Sequence, residues 1–159
     1  MRKTLLALAT GLAATTALAA GQHGGHHEAP KDGNVDRTIS FEAGDMWFMP
    51  GQLDIQPGEI VKFEITNTGN LQHEFVIGDA AAQAAHREMM RDMAASGHGH
   101  GSGHHGGGHG DAMPSVTIDP GETATLVWTA PADEEEVEFA CNIPGHYEAG
   151  MNGDIEISG

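Results

Sequence analysis

Residues 139–153 read FACNIPGHYEAGMNG, and three side chains in this stretch can bind a metal ion. Cys141, His146 and Met151 form a C-x4-H-x4-M pattern. The apolar residues before Cys141 predict that it lies at the end of a strand, and a Pro-Gly pair between Cys141 and His146 turns the chain. His146 and Met151 can therefore return to the same point as Cys141 before a final strand begins. This loop, more than any other part of the sequence, decides which β fold we expect.

A second imidazole is available from His73, which opens the predicted strand in LQHEFVIG at residues 71–78. Together with Cys141, His146 and Met151 it gives two imidazoles, one thiolate and one weak thioether. That set is typical of a type 1 copper site, where thiolate and imidazole suit both oxidation states and the axial Met tunes the reduction potential. Two alternatives stay open, since a lone His is often structural and a Met that enters a strand can simply pack in the core.

The rest of the sequence alternates between short apolar segments and turns, a pattern typical of an all-β sandwich or barrel with antiparallel strands. In one such segment Val61, Phe63 and Ile65 share a face while polar residues occupy the other face. We expect seven or eight strands, which are enough for a sandwich of two sheets. They are expected near residues 38–41, 52–55, 61–65, 73–78, 116–118, 123–129, 137–141 and 151–157.

These motifs resemble those of the cupredoxin family, which includes plastocyanin, pseudoazurin and rusticyanin. The resemblance covers residues 37–159 apart from an insert, and it rests on LQHEFVIG and CNIPGHYEAGM. It is strongest to small periplasmic cupredoxins that are linked to copper tolerance and carry a His- and Met-rich insert. The resemblance implies a Greek-key β-sandwich with one copper ion near one end, and one-electron transfer. It also implies that the copper ligands are His73, Cys141, His146 and Met151.

Two features depart from related copper proteins. Electron-transfer cupredoxins often have Asn directly after the first His ligand, where it braces the copper loop, whereas this chain has Glu74. Multicopper oxidases have a similar copper segment in which His residues flank the Cys, but Ala140 and Asn142 flank it here, so oxidase or nitrite reductase chemistry is not supported. A hydrolase with Cys141 as nucleophile and His146 as base is a further alternative, but no oxyanion-binding motif or orienting acid stands out. We expect no enzymatic activity.

An insert at residues 79–114 interrupts the strand pattern. Asp79 is suited to cap a helix over residues 80–95, and residues 96–112 are a Gly- and His-rich run that we expect to be disordered. On the helix, one His and three Met share a face that either packs against the sandwich or forms a second copper site. The candidates for additional, weakly bound copper are His86, Met89, Met90, Met93, His98, His100, His104, His105 and His109.

The N-terminus has the three parts of a secretory signal peptide at residues 1–19. Two basic residues precede an apolar run, and residues 17–19 form an A-x-A cleavage signal. The apolar run is shorter than the roughly 20 residues of a membrane-spanning helix. We therefore expect export to the periplasm without membrane insertion. A flexible His-containing tail at residues 20–36 and a single domain at residues 37–159 should follow.

The sequence carries a formal net charge of −16 and a single cysteine. A strongly acidic surface repels nucleic acid and attracts metal cations or a basic protein partner. A lone thiol cannot form an internal disulfide, so burial or metal ligation must explain it in an exported protein. We expect a monomer that handles copper under metal stress, with a redox or copper-trafficking protein as partner. A dedicated electron carrier is the alternative, but such a carrier does not need the insert.

Overall fold

The computed structural model describes residues 34–97 and 113–159, and within them nine strands and one helix form a two-sheet sandwich. The elements are β1 (Arg37–Gly44), β2 (Trp47–Met49), β3 (Gln52–Ile55), β4 (Ile60–Asn67), β5 (His73–Gly78), α1 (Ala80–Ala95), β6 (Ser115–Ile118), β7 (Thr123–Thr129), β8 (Glu136–Ala140) and β9 (Asn152–Ile157). One sheet has the strand order β2-β1-β4-β7, and the other has the order β3-β9-β8-β5-β6. The predicted β-sandwich is therefore confirmed. The predicted signal peptide, most of the predicted tail and residues 98–112 of the insert lie outside the described residues.

Two details of the strand prediction are wrong. The described residues contain nine strands rather than seven or eight, because β2 is a three-residue strand, too short to show an alternating pattern, that pairs with β1. The sheets are also not purely antiparallel, since β1 runs parallel to β4 and β3 runs parallel to β9. After β2 the chain crosses to the second sheet to form β3 and then returns beside β1. As a result β4 has the same direction as β1.

A cluster of phenylalanine rings joins the two sheets. Phe41 of β1 lies edge-to-face against Phe75 of β5 and Phe139 of β8, with ring centroids 5.0 Å and 5.1 Å apart. Such ring pairs add to the free energy that is gained from apolar burial. Phe75 lies near the start of β5 and Phe139 near the end of β8. The cluster therefore fixes the neighbouring ends of these two strands.

The insert joins two neighbouring strands of one sheet. β5 and β6 pair antiparallel with Val76 opposite Ser115, so the chain leaves and re-enters the sandwich at the same place. α1 has the predicted bounds, and Asp79 caps it by accepting hydrogen bonds from the backbone N–H groups of Ala81 and Ala82 at 2.7 Å and 2.8 Å. Within the described ranges, no helix is long and apolar enough to cross a membrane.

We expect Phe41→Ala to lower the free energy of unfolding of the metal-free protein by about 3 to 5 kcal/mol, because it leaves a cavity between the two sheets. Denaturant unfolding followed by tryptophan fluorescence measures this change. Thr125→Ala, on the exposed face of β7, is the matched control and should change the stability by no more than about 0.5 kcal/mol. A loss as small as that of the control would contradict the importance of the ring cluster.

Candidate metal centre

Three metal-binding side chains meet at one end of the sandwich. His73 is the first residue of β5, Cys141 directly follows β8, and His146 lies in the loop of residues 141–151 before β9, which we call the metal loop. Because β5 and β8 are antiparallel, the start of β5 lies beside the end of β8. One ligand atom from each residue lies within 4.8 Å of the others, and all three side chains are buried. The fold thus brings the predicted thiol and the two predicted imidazoles together.

The donor atoms of these side chains face one another. The Nδ1 atoms of His73 and His146 are 3.2 Å apart, and the Sγ atom of Cys141 lies 3.3 Å from His146 Nδ1. First-row metal ions such as zinc bind imidazole nitrogen at about 2.0 Å and thiolate sulfur at about 2.3 Å, so donors that share one ion lie about 3 to 4 Å apart. The spacing therefore fits a single ion. Two imidazoles with a thiolate are a donor set that suits copper.

Backbone hydrogen bonds close the metal loop. The amide of His146 donates to the carbonyl of Ile143 at 3.0 Å, across a turn in which Gly145 has a φ of 91°, a conformation that favours glycine. The amide of Met151 donates to the carbonyl of His146 at 3.1 Å, and the amide of Cys141 donates to the carbonyl of Met151 at 3.0 Å. Met151 is fully buried. The backbone therefore holds Met151 beside the other two loop residues, as the sequence predicts.

Burial keeps the Cys141 thiol protonated in the metal-free chain. It raises the pKa of the thiol from 9.0 to about 11, although the backbone N–H groups of Glu74 and Ile143 act in the opposite direction. The N–H of Glu74 lies 3.3 Å from Sγ. A thiol with a raised pKa is the opposite of an activated nucleophile, so the site offers no support for a hydrolase. A bound metal cation would instead favour the thiolate.

Both imidazoles are neutral near pH 7, because burial lowers the pKa of His73 and of His146. Each ring therefore keeps a lone pair for a metal ion. The carboxylate of Asp45 lies 3.5 Å from His73 Nε2 and acts on the far side of that ring. Backbone N–H groups of Asn70 and Leu71 hold the same oxygen at 2.9 Å and 3.2 Å, and the bond from Asn70 lowers the pKa of Asp45. Sequence reasoning missed Asp45, because a turn residue far from the metal-binding motif gives no local signal.

The additional copper candidates on α1 lie in two different environments. Met90 is only 7% exposed, whereas Met89 and Met93 are 48% and 44% exposed. Met90 is therefore buried, and the other two methionines face solvent. His86 Nε2 lies 3.5 Å from Glu74 Oε2. The candidates outside the described residues are His98, His100, His104, His105 and His109. A second copper site stays a prediction.

A two-sheet sandwich with a buried Cys and two buried His at one end is the arrangement of a cupredoxin, a class of mononuclear copper proteins. A family model described as copper binding proteins of the plastocyanin/azurin family matches residues 35–158. The chain belongs to the plastocyanin/azurin family, and its metal is copper.

Comparison with known proteins gives both relatives and similar structures. The copper-resistant cuproprotein CopI of Pseudomonas aeruginosa is 41% identical over 140 residues, which cover 77% of this chain and 77% of that protein. The copper-resistant cuproprotein CopI of Vibrio cholerae is 48% identical over 105 residues, which cover 66% of this chain and 54% of that protein. The solved structure of reduced auracyanin from Roseiflexus castenholzii gives a TM-score of 0.63 at 22% identity, covering 79% of this chain and 99% of that one. This structural likeness shows the fold.

We expect the metal-free protein to lose stability as the pH rises from about 9 to about 11, because the folded state keeps the Cys141 thiol protonated while the unfolded chain ionises it. Folding raises this pKa, so the contribution is fully present below pH 9.0 and is lost as the pH passes about 11. The difference between the two pKa values corresponds to about 2 to 3 kcal/mol.

Denaturant unfolding on both sides of this pH window measures the loss. Cys141→Ser is the matched control, because it keeps every other group that titrates in alkali. The wild-type chain should lose more stability than the Ser variant. An equal loss in the two proteins would contradict the raised pKa of the thiol.

Proposed function

We propose that this protein is exported to the periplasm and binds one copper ion through His73, Cys141 and His146, with Met151 as a weak fourth ligand. The main support is the convergence of two imidazole nitrogens and one thiol sulfur within 4.8 Å of one another at a buried end of the sandwich. When bound there, copper supplies one-electron chemistry, because this ligand set suits both of its common oxidation states.

The residues around the donors prepare the site for a cation. The rings of His73 and His146 are neutral, so they need not lose a proton before binding. The N–H groups of Glu74 and Ile143 point at Cys141 Sγ and stabilise the negative charge of a thiolate. Burial keeps water away from the donors, and the closed metal loop limits how far they can separate.

Copper handling under metal stress is the role that the relatives favour. The proteins from P. aeruginosa and V. cholerae are both described as copper-resistant cuproproteins. A dedicated electron carrier is the second candidate, and the position of His146 supports it. This ring is 7% exposed, whereas His73 and Cys141 are fully buried, and the exposed Pro144 and half-buried Tyr147 lie beside it. Electrons would pass to a partner through this edge.

The distribution of charge supports a basic redox or copper-trafficking partner. Residues 133–136 are all acidic and exposed. They lie at the start of β8, whereas Cys141 follows its end. The acidic end of the sandwich is therefore remote from the metal centre. It would steer a basic partner through long-range attraction rather than contact it at the point of transfer. We propose that the chain acts in this way as a monomer.

We expect the mature protein to bind one Cu(II) ion at this centre and to show an intense visible band from thiolate-to-copper charge transfer. Cys141→Ser should abolish the band and keep the fold, because Ser is of similar size and Cys141 is the only thiol in the chain. Absorption spectroscopy measures the visible band, metal analysis measures the bound copper, and circular dichroism measures the fold. Thr125→Ala is the control and should keep the band. A Ser variant that retains it would refute the assignment of Cys141.

We expect cells that lack this protein to regain growth under copper stress when they produce the wild-type chain, but not when they produce Cys141→Ser. Deletion of residues 96–110 should keep the visible band but lower both the total copper bound and the tolerance, because this run supplies five imidazoles. Metal titration and growth curves measure these effects. If titration of the intact protein stops at one copper ion and the deletion variant protects cells equally well, the dedicated electron carrier is the better interpretation.

A further inference from the structure

One face of the insert helix lies along the metal loop. Three side chains of α1, spaced four residues apart, each contact a different residue of that loop, as expected for neighbours on one helix face. The contacts are Gln83 with Asn142, Arg87 with Tyr147, and Arg91 with Glu148. The insert therefore does not simply extend from the sandwich, since its helix touches the loop that carries Cys141 and His146.

Gln83 makes the buried contact of the three. Its side chain is fully buried, and its Oε1 accepts a hydrogen bond from Asn142 Nδ2 at 2.8 Å. Its Nε2 donates to the carbonyl of Val76 in β5 at 2.9 Å and to the carbonyl of Glu138 in β8 at 3.1 Å. One amide thus links α1 to the two strands that present His73 and Cys141, and to the loop between β8 and β9.

The partner of Gln83 directly follows the thiol. Asn142 is 1% exposed, and its Oδ1 has no hydrogen-bond partner among the described residues. The side chain of Asn142 is therefore held through its Nδ2 group, by Gln83. Because Asn142 and Cys141 are adjacent, movement of Asn142 would rotate the backbone that directs Cys141 Sγ toward the imidazoles.

The other two contacts are more exposed than the contact of Gln83 with Asn142. Arg87 places its guanidinium carbon 3.6 Å from the centre of the Tyr147 ring. Arg91 and Glu148 form an ion pair in which both side chains are about half exposed. Exposed ion pairs contribute little, since water and salt screen them. A buried amide that loses its partners leaves unsatisfied groups, and this has a larger effect.

We propose that Gln83 is a positioning residue of the copper centre, which holds Asn142 and thereby the direction of the Cys141 thiol. This inference rests on the proposed function, in which Cys141 is a copper ligand. The role of Gln83 makes α1 a structural part of the copper centre.

The first test uses the metal-free protein and measures how fast iodoacetamide alkylates Cys141. The thiol is fully buried, so it reacts only when the metal loop opens or the chain unfolds. Gln83→Met keeps the length of the side chain but removes its amide. We expect alkylation to become faster by about tenfold or more, in line with the loss of buried hydrogen bonds.

Val61→Ala is the control for general destabilisation. Val61 is buried in β4, in the other sheet, and its truncation lowers stability without touching α1 or the metal loop. At equal free energy of unfolding, set by a low denaturant concentration, the Gln83 variant should still react faster. Equal alkylation rates for the two variants would overturn the proposal.

The second test uses the copper-loaded protein and compares Gln83→Met, Asn142→Ala and the double variant. Removing a group that orients a metal ligand typically costs about 10-fold or more in metal affinity, so each single variant should release copper faster to a chelator and shift the visible band. If Gln83 acts through Asn142, the double variant should be no worse than the more affected single variant. Effects that multiply would overturn the proposed route. If wild type showed no visible band, the proposed function would fail, while the alkylation test would still decide whether Gln83 holds the loop.

Discussion

The structure depends on one constraint, which is that a thiol and two imidazoles must be held within 4.8 Å of one another and away from water. Polar groups that leave water destabilise a fold unless they gain partners. In the metal-free chain these groups have mainly each other, together with the backbone N–H groups directed at Cys141. The scaffold must therefore impose an arrangement that the three side chains would not adopt alone. A bound copper ion would hold the three facing groups at once, so metal binding and the stability of the fold would be linked.

Each layer of the scaffold contributes to that arrangement. The antiparallel pairing of β5 with β8 sets the distance between His73 and Cys141, and the ring cluster around Phe41 fixes the ends of both strands. Hydrogen bonds within the metal loop then determine where His146 and Met151 lie relative to the thiol. Local chain geometry alone could not do this, because His73 lies far from Cys141, His146 and Met151 in the sequence. The site is therefore a product of the sandwich and not of the C-x4-H-x4-M segment alone.

The features that sequence reasoning predicted have local signals. Alternating burial along β4, the Asp79 cap of α1 and the spacing of Cys141, His146 and Met151 all depend on residues close together in the chain.

The features that sequence reasoning missed are tertiary. The parallel pairing of β1 with β4 follows from a crossover between sheets, and β2 is too short to show a period. The roles of Asp45 and Gln83 arise from packing between distant segments, and neither residue type nor spacing predicts such contacts. Helix periodicity placed the three methionines of α1 on one face, but only the packing of α1 separates the buried Met90 from the exposed Met89 and Met93.

The antiparallel pairing of β5 with β6, with Val76 opposite Ser115, makes the insert a hairpin connection. The closure entropy of such a connection changes slowly with its length, and connecting segments tolerate insertions and deletions better than the strands they join. The segment from α1 to β6 can therefore lengthen, shorten or change composition during evolution while the sandwich stays the same. α1 itself is less free to change, because it touches the loop beside Cys141. Related chains should accordingly diverge fastest just after the helix, and a foreign metal-binding peptide could be transplanted there without redesign of the copper centre.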